Sequence, residues 1–572
     1  MLLLLLLFLG PSLATAEISN ERIGNLSFAE YAQYIRQIRE LQGLDTSFLH
    51  NATSFKDIVG DVVYTKEQLE FTIWELNRAL AVKENRTIPD EFLFFNEPFR
   101  YWKTPINWQI DKSINSPLMK KRIIEGIENW SNETCITFQH NDHITNGGIK
   151  FFSSDQGCMS FIGFIGSQVQ TISLKQGSCE SEGTATHEIG HALGLFHTQN
   201  RPDRDNFLRV DTNLIKPELQ GALGKHTPSR TETYPKQYDY ASIMHYGCTG
   251  GLLDTLAWQN FPTLKYITMR TIDPRYQHTI GSNTLSFLDG KAINDVYCSR
   301  KCHQKLPCQN HGYPNPNDCS KCKCPEGYGG AYCEKLASSH NLCGPTELEA
   351  TDKPQKLYKI GQLECYFRIS VPGGDDGTIE MHVESLTIPG PFAQDFFACR
   401  KNYIEASFLR PPTPSLSSRR LCSSDLRSYG ASRVKFGGKR RLLLFFKSQH
   451  YSNSFTVTYR RVGRSPTLPK GSSPPKGQTL TTPAPTPNPP APVGTDSPDC
   501  QWGEWSECDI PCGGCSKRRR QSLTNWRRSQ TEYCSWSTPC KYAFTGTYMC
   551  CAPFMLTYDE NSNRVCQLAS NY

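Results

Sequence analysis

Apolar residues recur at helical spacing near the start of the chain. Two series, each with steps of three or four residues, predict amphipathic helices because such positions share one face. Their members are Phe28, Tyr31, Ile35 and Ile38 in the first series and Leu69, Ile73, Leu76 and Leu80 in the second. This stretch, 17–96, contains no cysteine.

The pattern changes further along the chain. A strand is predicted at 108–111, a helix at about 120–130 and another strand at 135–138. Later runs of apolar and β-branched residues predict β-structure, at 378–383, 442–446 and 455–459. The stretch 462–498 is crowded with proline, threonine and serine, so it is expected to be an extended linker.

The first sixteen residues have the pattern of a secretory signal peptide. An apolar run from Leu2 to Leu9 precedes the small residues 14–16. No later apolar run is long enough to cross a bilayer, so the sequence predicts no membrane anchor. Clustering of the 24 cysteines indicates an oxidising compartment. The signal-peptide pattern and the cysteines together predict a secreted, extracellular protein. N-glycosylation is expected at Asn25, Asn51, Asn85 and Asn132.

The net charge of +7 is spread over 572 residues and by itself indicates little. A secreted disulfide protein is not expected to bind nucleic acid. The local basic cluster formed by 517–520, with Arg527 and Arg528, favours acidic polysaccharides as partners. The alternative is an ordinary solvated basic face.

The stretch 187–197, HEIGHALGLFH, has the spacing of metal ligands. His187 and His191 share one helix face. Gly194 lacks a Cβ and can end the helix in a tight turn, which lets His197 return as a third ligand. Three imidazoles suit zinc and leave a fourth position for water.

Glu188 stands beside this metal position and is the candidate catalytic residue. It can take a proton from the attacking water and return it to the leaving amine. The alternative is a buried amphipathic helix that carries histidines by chance. The glycine turn and the third histidine make the zinc interpretation far more specific than the short motif alone.

Two more motifs follow this helix: RPDRD at 201–205 and SIMHY at 242–246. With the zinc helix they resemble the astacin family of metzincin proteases. The resemblance implies one zinc ion in an α+β metzincin catalytic domain at 97–300. It also implies that Tyr246 is an additional zinc ligand in the resting enzyme that swings away to bind the tetrahedral intermediate. The alternative for Tyr246 is a core aromatic.

The segment 17–96 is interpreted as a propeptide. An open zinc position must be silenced during export, and a segment without cysteine needs an oxygen ligand. The residues IVGD at 58–61 resemble the family's inhibitory Phe-x-Gly-Asp motif, so Asp61 is expected to bind zinc in the zymogen only. An ordinary surface turn at Gly60 and Asp61 is the alternative.

Three further modules are expected after the catalytic domain. The segment 301–334 resembles an EGF-like module, 343–461 an all-β CUB sandwich and 499–541 a thrombospondin type 1 repeat, and a cysteine-containing tail follows at 542–572. Calcium binding by the CUB sandwich stays open. The resemblances imply the disulfides Cys135–Cys298, Cys158–Cys179, Cys302–Cys319, Cys308–Cys322, Cys324–Cys333, Cys343–Cys365 and Cys399–Cys422.

Two residues depart from the astacin pattern. Thr198 stands where the family carries a glutamate that binds the new α-amino group, so we expect that the processed N-terminus is not buried. Cys248 leaves the catalytic domain with an odd number of cysteines. Two alternatives remain for Cys248: it forms a disulfide with a tail cysteine or with another chain, or it is a free buried thiol.

These patterns favour a secreted zinc endopeptidase, made as a zymogen, that hydrolyses extracellular matrix proteins. The module order resembles nematode astacins, which implies cuticle collagen processing during moulting or eggshell digestion at hatching. One alternative is a catalytically silent adhesion protein that uses its CUB and thrombospondin modules. Another is an adamalysin-type protease, which RPDRD, Tyr246 and the cysteine-free segment 17–96 disfavour.

Overall fold

The computed structural model describes most of the chain up to residue 462 and short strands beyond it. Contacts divide the chain into two compact units, 1–467 and 468–572. Within the described ranges, every helix is too short or too polar to cross a lipid bilayer. The described residues are 22–23, 26–50, 52, 58, 60–84, 101–166, 169–227, 237–250, 267–273, 276–372, 377–388, 399–408, 419–422, 435–439, 441–462, 516–521, 529–534, 540–541, 548–549, 554–558 and 564–568.

Several predicted features lie outside the described residues. They are the signal peptide at 1–16, nearly all of the linker 462–498, the sites Asn25, Asn51 and Asn85, and the basic residues Arg527 and Arg528. Asn132 is described and exposed, near the end of a helix.

The N-terminal segment, 22–84, folds into a hairpin and two helices. Ser27 begins the first helix with a capping box, in which its hydroxyl and the side chain of Glu30 each bind the other residue's backbone N–H. Tyr31 and Leu69, from the two predicted apolar series, are fully buried in a cluster that includes residues of the central domain. The elements are β1 (Arg22–Ile23), β2 (Leu26–Ser27), α1 (Phe28–Leu41), a 3-10 turn (Ser47–His50) and α2 (Lys66–Lys83).

The central domain, 101–298, is built on a six-stranded sheet to which the N-terminal segment adds one edge strand. The strands are β3 (Val62–Val63), β4 (Ile106–Ile110), β5 (Phe138–His140), β6 (Gly148–Phe152), β7 (Cys158–Phe161) and β8 (Val169–Leu174). Their order is β3-β7-β8-β6-β4-β5. Only the β7–β8 pair is antiparallel.

The prediction of a strand at 135–138 is wrong, because β5 begins only at Phe138. Cys135 forms a disulfide with Cys298, and its backbone N–H donates to Oδ1 of Asn294 at 3.2 Å. These two bonds hold Cys135 against the helix that carries Asn294. The segment reaches the sheet only at Thr137, whose carbonyl accepts the N–H of Ile106 in β4 at 2.8 Å. The strand predicted at 108–111 belongs to β4.

Two helices of the central domain pack closely against each other. Helix α3 (Pro117–Glu133) begins at the N-cap Ser116, and α4 (Thr184–Ala192) carries the first two candidate zinc ligands. A Cβ on Gly126 of α3 would lie 3.0 Å from the backbone nitrogen of Thr186, so the glycine permits this approach. The indole of Trp130 is fully buried and donates to the carbonyl of Thr186 at 2.8 Å.

The rest of the central domain consists of the elements that follow α4 along the chain. They are the 3-10 turns Thr198–Asn200, Arg204–Asn206, Thr212–Leu214 and Gly221–Leu223, the short helix Pro217–Gln220, β9 (Leu208–Val210), β10 (Met269–Thr271) and the helix Phe287–Tyr297, called here the closing helix. Two disulfides, Cys135–Cys298 and Cys158–Cys179, lie in this domain.

A disulfide-rich segment and two β-sheets follow in the first unit. The segment contains β11 (Tyr313–Asn315), β12 (Asp318–Lys323), β13 (Tyr328–Gly329) and β14 (Lys335–Leu336). Its cysteines pair as Cys302–Cys319, Cys308–Cys322 and Cys324–Cys333. With so few apolar residues, covalent bonds stabilise a segment of this size.

The two sheets pack on one apolar core that includes Phe367, Phe446 and Phe455. Five strands form the order β15-β17-β22-β19-β20 and four form β16-β23-β18-β21. The disulfides Cys343–Cys365 and Cys399–Cys422 lie in this part. The strands are β15 (Glu347–Glu349), β16 (Gln355–Ile360), β17 (Glu364–Ser370), β18 (Thr378–Thr387), β19 (Tyr403–Phe408), β20 (Arg419–Leu421), β21 (Lys435–Lys439), β22 (Arg441–Lys447) and β23 (Ser454–Val462).

The second unit contains three antiparallel pairs of strands among its described residues. The basic cluster at 517–520 lies within the first of these strands. The strands are β24 (Ser516–Gln521), β25 (Ser529–Cys534), β26 (Cys540–Lys541), β27 (Tyr548–Met549), β28 (Phe554–Tyr558) and β29 (Arg564–Leu568).

Candidate metal centre

Three imidazoles converge at the end of α4. The helix ends at Ala192 with Leu193 as its C-cap, and Gly194, with φ of 108°, turns the chain so that the third histidine returns toward the first two. Nε2 of His197 lies 3.3 Å from Nε2 of His187 and 3.1 Å from Nε2 of His191. Ligands about 2.0–2.1 Å from a tetrahedral zinc are separated by about 3.3 Å. The three nitrogens therefore fit one zinc ion.

The outer ring nitrogens of two of these histidines are bound by backbone carbonyls. Nδ1 of His187 lies 2.7 Å from the carbonyl of Ile243, and Nδ1 of His191 lies 2.8 Å from that of Leu195. A carbonyl can only accept, so each Nδ1 carries the proton and each Nε2 keeps its lone pair for the metal.

Met244 forms the apolar base of the site. It is 1% exposed, and a Cβ on Gly190 would lie 2.7 Å from its sulfur and 3.1 Å from the ring of Trp130. The glycine of the zinc motif is therefore required by space, since a larger residue would push the thioether out of contact with the helix.

The turn that carries Met244 is held by the closing helix. Ser242 donates its hydroxyl to Oδ1 of Asp289 at 2.6 Å, and the N–H of Ile243 donates to Oδ2 at 2.8 Å. Burial, with a contribution from Asp239, raises the pKa of Asp289 to about 6. The sequence analysis did not single out Asp289, although SFLD at 286–289 reads as a capping box.

Asp61 of the N-terminal segment lies against the three imidazoles. Its carboxylate is 3.1 Å from Nε2 of His197 and 3.3 Å from Nε2 of His187, and it accepts a hydrogen bond of 2.6 Å from the hydroxyl of Tyr246. Burial alone would raise the pKa of Asp61, but His197 and His187 hold it well below its usual value. The side chains of Asp61, His187, His191 and His197 thus meet at the position of the metal.

Glu188 is 2% exposed, and its Oε2 has no hydrogen-bond partner among the described residues. Burial, with the nearby charge of Asp61, raises its pKa well above the usual value. Burial, again with Asp61, also raises the pKa of Tyr246. A buried carboxyl oxygen without a hydrogen-bond partner lowers the stability of the fold. Such groups are found at functional sites, which fits the position of Glu188 beside the metal.

The two departures from the astacin pattern have defined surroundings. Thr198 is buried, and its N–H donates to the carbonyl of Met244 at 3.0 Å; the expectation that the processed N-terminus is not buried stays a prediction. Cys248 is a buried free thiol among the described residues, and burial raises its pKa to about 12. A free buried thiol is one of the two alternatives that the sequence left open for Cys248.

Asn200 is a structural residue of the site that no motif or spacing singles out. It lies between the third histidine and RPDRD, and its side-chain amide donates to the carbonyls of Ala222, at 2.9 Å, and Gly224. Arg204 donates to the carbonyls of Gln199, at 2.9 Å, and Leu223. The family motif thus ties the turn at 221–224 to the loop of the third zinc ligand.

Comparison with known proteins agrees with this geometry. The family model for the peptidase family Astacin matches residues 94–298. The chain is 31% identical over 544 residues to zinc metalloproteinase nas-34 of Caenorhabditis elegans, covering 86% of this chain and 81% of that protein. It is 34% identical over 344 residues to zinc metalloproteinase dpy-31 of the same organism, covering 57% of this chain and 54% of that protein.

Among solved structures, high choriolytic enzyme 1, a hatching enzyme zinc-protease from the medaka fish Oryzias latipes, matches at 28% identity. The match has a TM-score of 0.30 and covers 34% of this chain and 94% of that one. With a relative matched over most of both chains, three imidazoles placed for one zinc ion and the family model over the domain that holds them, the chain belongs to the astacin family and is a zinc metalloendopeptidase.

Proposed function

We propose that this protein is secreted as a zymogen in which Asp61 closes the zinc site. The observation that carries the proposal is the position of the Asp61 carboxylate, which contacts His187, His197 and the hydroxyl of Tyr246 at once. A fourth ligand supplied by the chain takes the place that water needs. The segment 17–96 then acts as a propeptide, and its removal opens the site.

After activation, the polar residues of the site have different roles in peptide hydrolysis. His187, His191 and His197 would hold a zinc ion, which would lower the pKa of a bound water and polarise the substrate carbonyl. Glu188 takes the proton of the attacking water and returns it to the leaving amine. Tyr246, freed from Asp61, donates its hydroxyl to the oxygen of the substrate carbonyl, where negative charge develops.

The proposed substrates are extracellular matrix proteins, either cuticle collagens processed at moulting or eggshell proteins digested at hatching. Support comes from the disulfide-rich segment and the two β-sheets, proposed to be EGF-like and CUB modules that bring the enzyme to protein targets. The proposed thrombospondin module at 499–541 would add contacts to acidic polysaccharides through its basic cluster. The apolar pattern at 1–16 and the seven described disulfides support secretion.

The experiment compares the full chain with two variants after secretion from a eukaryotic cell. The unprocessed wild type is expected to be latent, and Asp61→Ala to cleave a peptide library without removal of 17–96. Glu188→Ala, freed of 17–96, should keep one zinc per chain and lose about 10²–10⁴-fold in turnover. Controls are Glu67→Ala in the N-terminal segment and Glu128→Ala on α3, both exposed.

Two outcomes would contradict the proposal. Cleavage of the same bonds by zinc-loaded Glu188→Ala at the wild-type rate would contradict the assigned mechanism. Latency of Asp61→Ala equal to that of Glu67→Ala would show that another contact silences the enzyme.

A further inference from the structure

The two packed sheets at 343–462, called here the sandwich, meet the rest of the first unit through three described ion pairs. In each pair the sandwich supplies the cation and its neighbour supplies the carboxylate. The pairs are Lys401–Glu182, Arg419–Asp273, at 3.4 Å, and Lys447–Glu326. No side chain among them is more than 35% exposed, so solvent screens these pairs less than it screens pairs on an open surface.

Backbone hydrogen bonds join the sandwich to a loop of the central domain. The N–H of Cys399 donates to the carbonyl of His278 at 3.0 Å, and the N–H of Arg420 donates to the hydroxyl oxygen of Thr279 at 3.2 Å. Cys399 belongs to a disulfide of the sandwich, and the buried side chain of Arg420 donates to Glu405 at 2.9 Å. Because both donors are fixed within the sandwich, they hold the loop in one place.

This loop leads to the start of the helix that carries the zinc ligands. Gly183 is the N-cap of α4, with φ of 87°, and a Cβ built on it would overlap the backbone of Asn283. Only glycine lets the two backbones come so close. Glu182, the partner of Lys401, directly precedes this N-cap and also pairs with Arg122 of α3 at 3.3 Å. The sandwich therefore binds both of the segments that meet where α4 begins.

Helix α4 places two of the three zinc ligands. His187 lies in its first turn and His191 one turn further, whereas His197 belongs to the loop beyond the helix. A metal site keeps its geometry only when its ligands stay within about 0.5 Å of their productive positions. A tilt of α4 about Gly183 would move His187 and His191 together, away from the place where they meet His197.

We propose that Lys401 and Glu182 are positioning residues of the zinc site. Through this pair, and through the loop at 278–283, the sandwich fixes the direction of α4 and with it the mutual placement of the three imidazoles. The sandwich then has a role at the metal that needs no substrate, in addition to the targeting role proposed above.

The test uses the zinc-loaded full chain and two readouts without substrate. One is transfer of zinc to a coloured chelator, and the other is the visible spectrum after replacement of zinc by cobalt(II), which reports ligand geometry. Lys401→Met keeps the length of the side chain and removes its charge, so zinc affinity should fall about 2- to 30-fold and the cobalt bands should shift. Lys356→Met, exposed on β16 of the sandwich, is the matched control and should behave as wild type.

A second variant asks whether Lys401 acts through its partner. In a Glu182→Gln background, Lys401→Met should have little further effect on zinc affinity, because the two side chains act through one contact. Asp61 is unchanged in every variant, so the comparison is independent of its proposed role.

Three results would overturn the inference. One is a Lys401→Met protein with the zinc affinity and cobalt spectrum of wild type. Another is a lower midpoint of thermal unfolding with an unchanged cobalt spectrum, since the contact would then only fasten the sandwich. The third is a full effect of Lys401→Met in the Glu182→Gln background, because Lys401 would then act through a different residue.

Discussion

Asp289 accepts the N–H of Ile243 at 2.8 Å, and the carbonyl of the same Ile243 contacts Nδ1 of the zinc ligand His187 at 2.7 Å. One carboxylate on the closing helix thus fixes, through a single residue, the ring orientation of a ligand on α4. Outer bonds of this kind set the affinity of a site for its metal. The closing helix is therefore part of the support of the zinc site.

Replacement of Asp289 by asparagine should weaken zinc binding. An amide nitrogen cannot accept, so either Ser242 or Ile243 loses its partner, and the turn that holds the Ile243 carbonyl against His187 is loosened. We expect zinc affinity to fall about 10- to 100-fold, measured as transfer to a coloured chelator. Asp295→Asn, on the exposed side of the same helix, is the matched control, and equal zinc retention by the two variants would refute this role.

Asp289 should also make stability depend on pH. Its pKa is raised from 3.8 to about 6 in the folded protein, so the folded state binds more protons between these values. Its contribution to the free energy of unfolding is therefore complete below about pH 4 and lost as the pH rises through 6. In urea unfolding of zinc-free protein, the advantage of wild type over Asp289→Asn should shrink by up to about 3 kcal/mol between pH 4 and 7. A pH-independent difference would contradict this.

Tyr246→Phe separates catalysis from substrate binding. The variant keeps the ring, which packs 4.5 Å from His197 between centroids, and loses only the hydroxyl. Once 17–96 has been removed, kcat should fall about 10²- to 10³-fold while KM changes little, because the proposed role of the hydroxyl is to stabilise charge that develops in the transition state. Tyr332→Phe, exposed in the disulfide-rich segment, is the control. A change in KM alone would assign Tyr246 to substrate binding.

The sequence alone predicts the candidate residues at the centre of the site, because most of them lie close together along the chain. Three histidines, Glu188 and Gly194 lie within eleven residues, and helix geometry fixes their mutual positions. The family motif adds Asp61 and Tyr246. It does not show how Asp61 reaches the metal, because β3 has only two residues and no periodicity that could predict its pairing with β7.

The supporting residues depend on tertiary contacts that no spacing encodes. From the sequence, Asp289 is recognisable only as part of a helix cap. Its bond to Ile243 forms because the closing helix packs against the turn that carries Met244. Asn200 belongs to no motif in the sequence, and its bonds to the carbonyls of Ala222 and Gly224 form only when the turn at 221–224 folds back on the loop of His197. The error at 135–138 has the same origin, since the bonds of Cys135 to distant residues override its β-rich pattern.

Arg39 should help to keep the N-terminal segment closed. It is 2% exposed, donates to the carbonyl of Asp45 at 2.8 Å and reaches the carbonyl of Pro217 in the central domain at 2.9 Å. Loss of a buried charged hydrogen bond costs about 1.5–3 kcal/mol, so Arg39→Ala should raise the activity of the unprocessed full chain about 10- to 100-fold.

The readout is hydrolysis of a fluorogenic peptide by the unprocessed protein, with Arg36→Ala on the same helix as the matched control. After complete removal of 17–96, wild type and both variants become the same molecule and must show the same kcat/KM, which excludes damage to the central domain. Unprocessed Arg39→Ala that stays as latent as Arg36→Ala would show that Asp61 and β3 close the cleft without this contact, because the bond to Pro217 is then not needed to hold the segment in place.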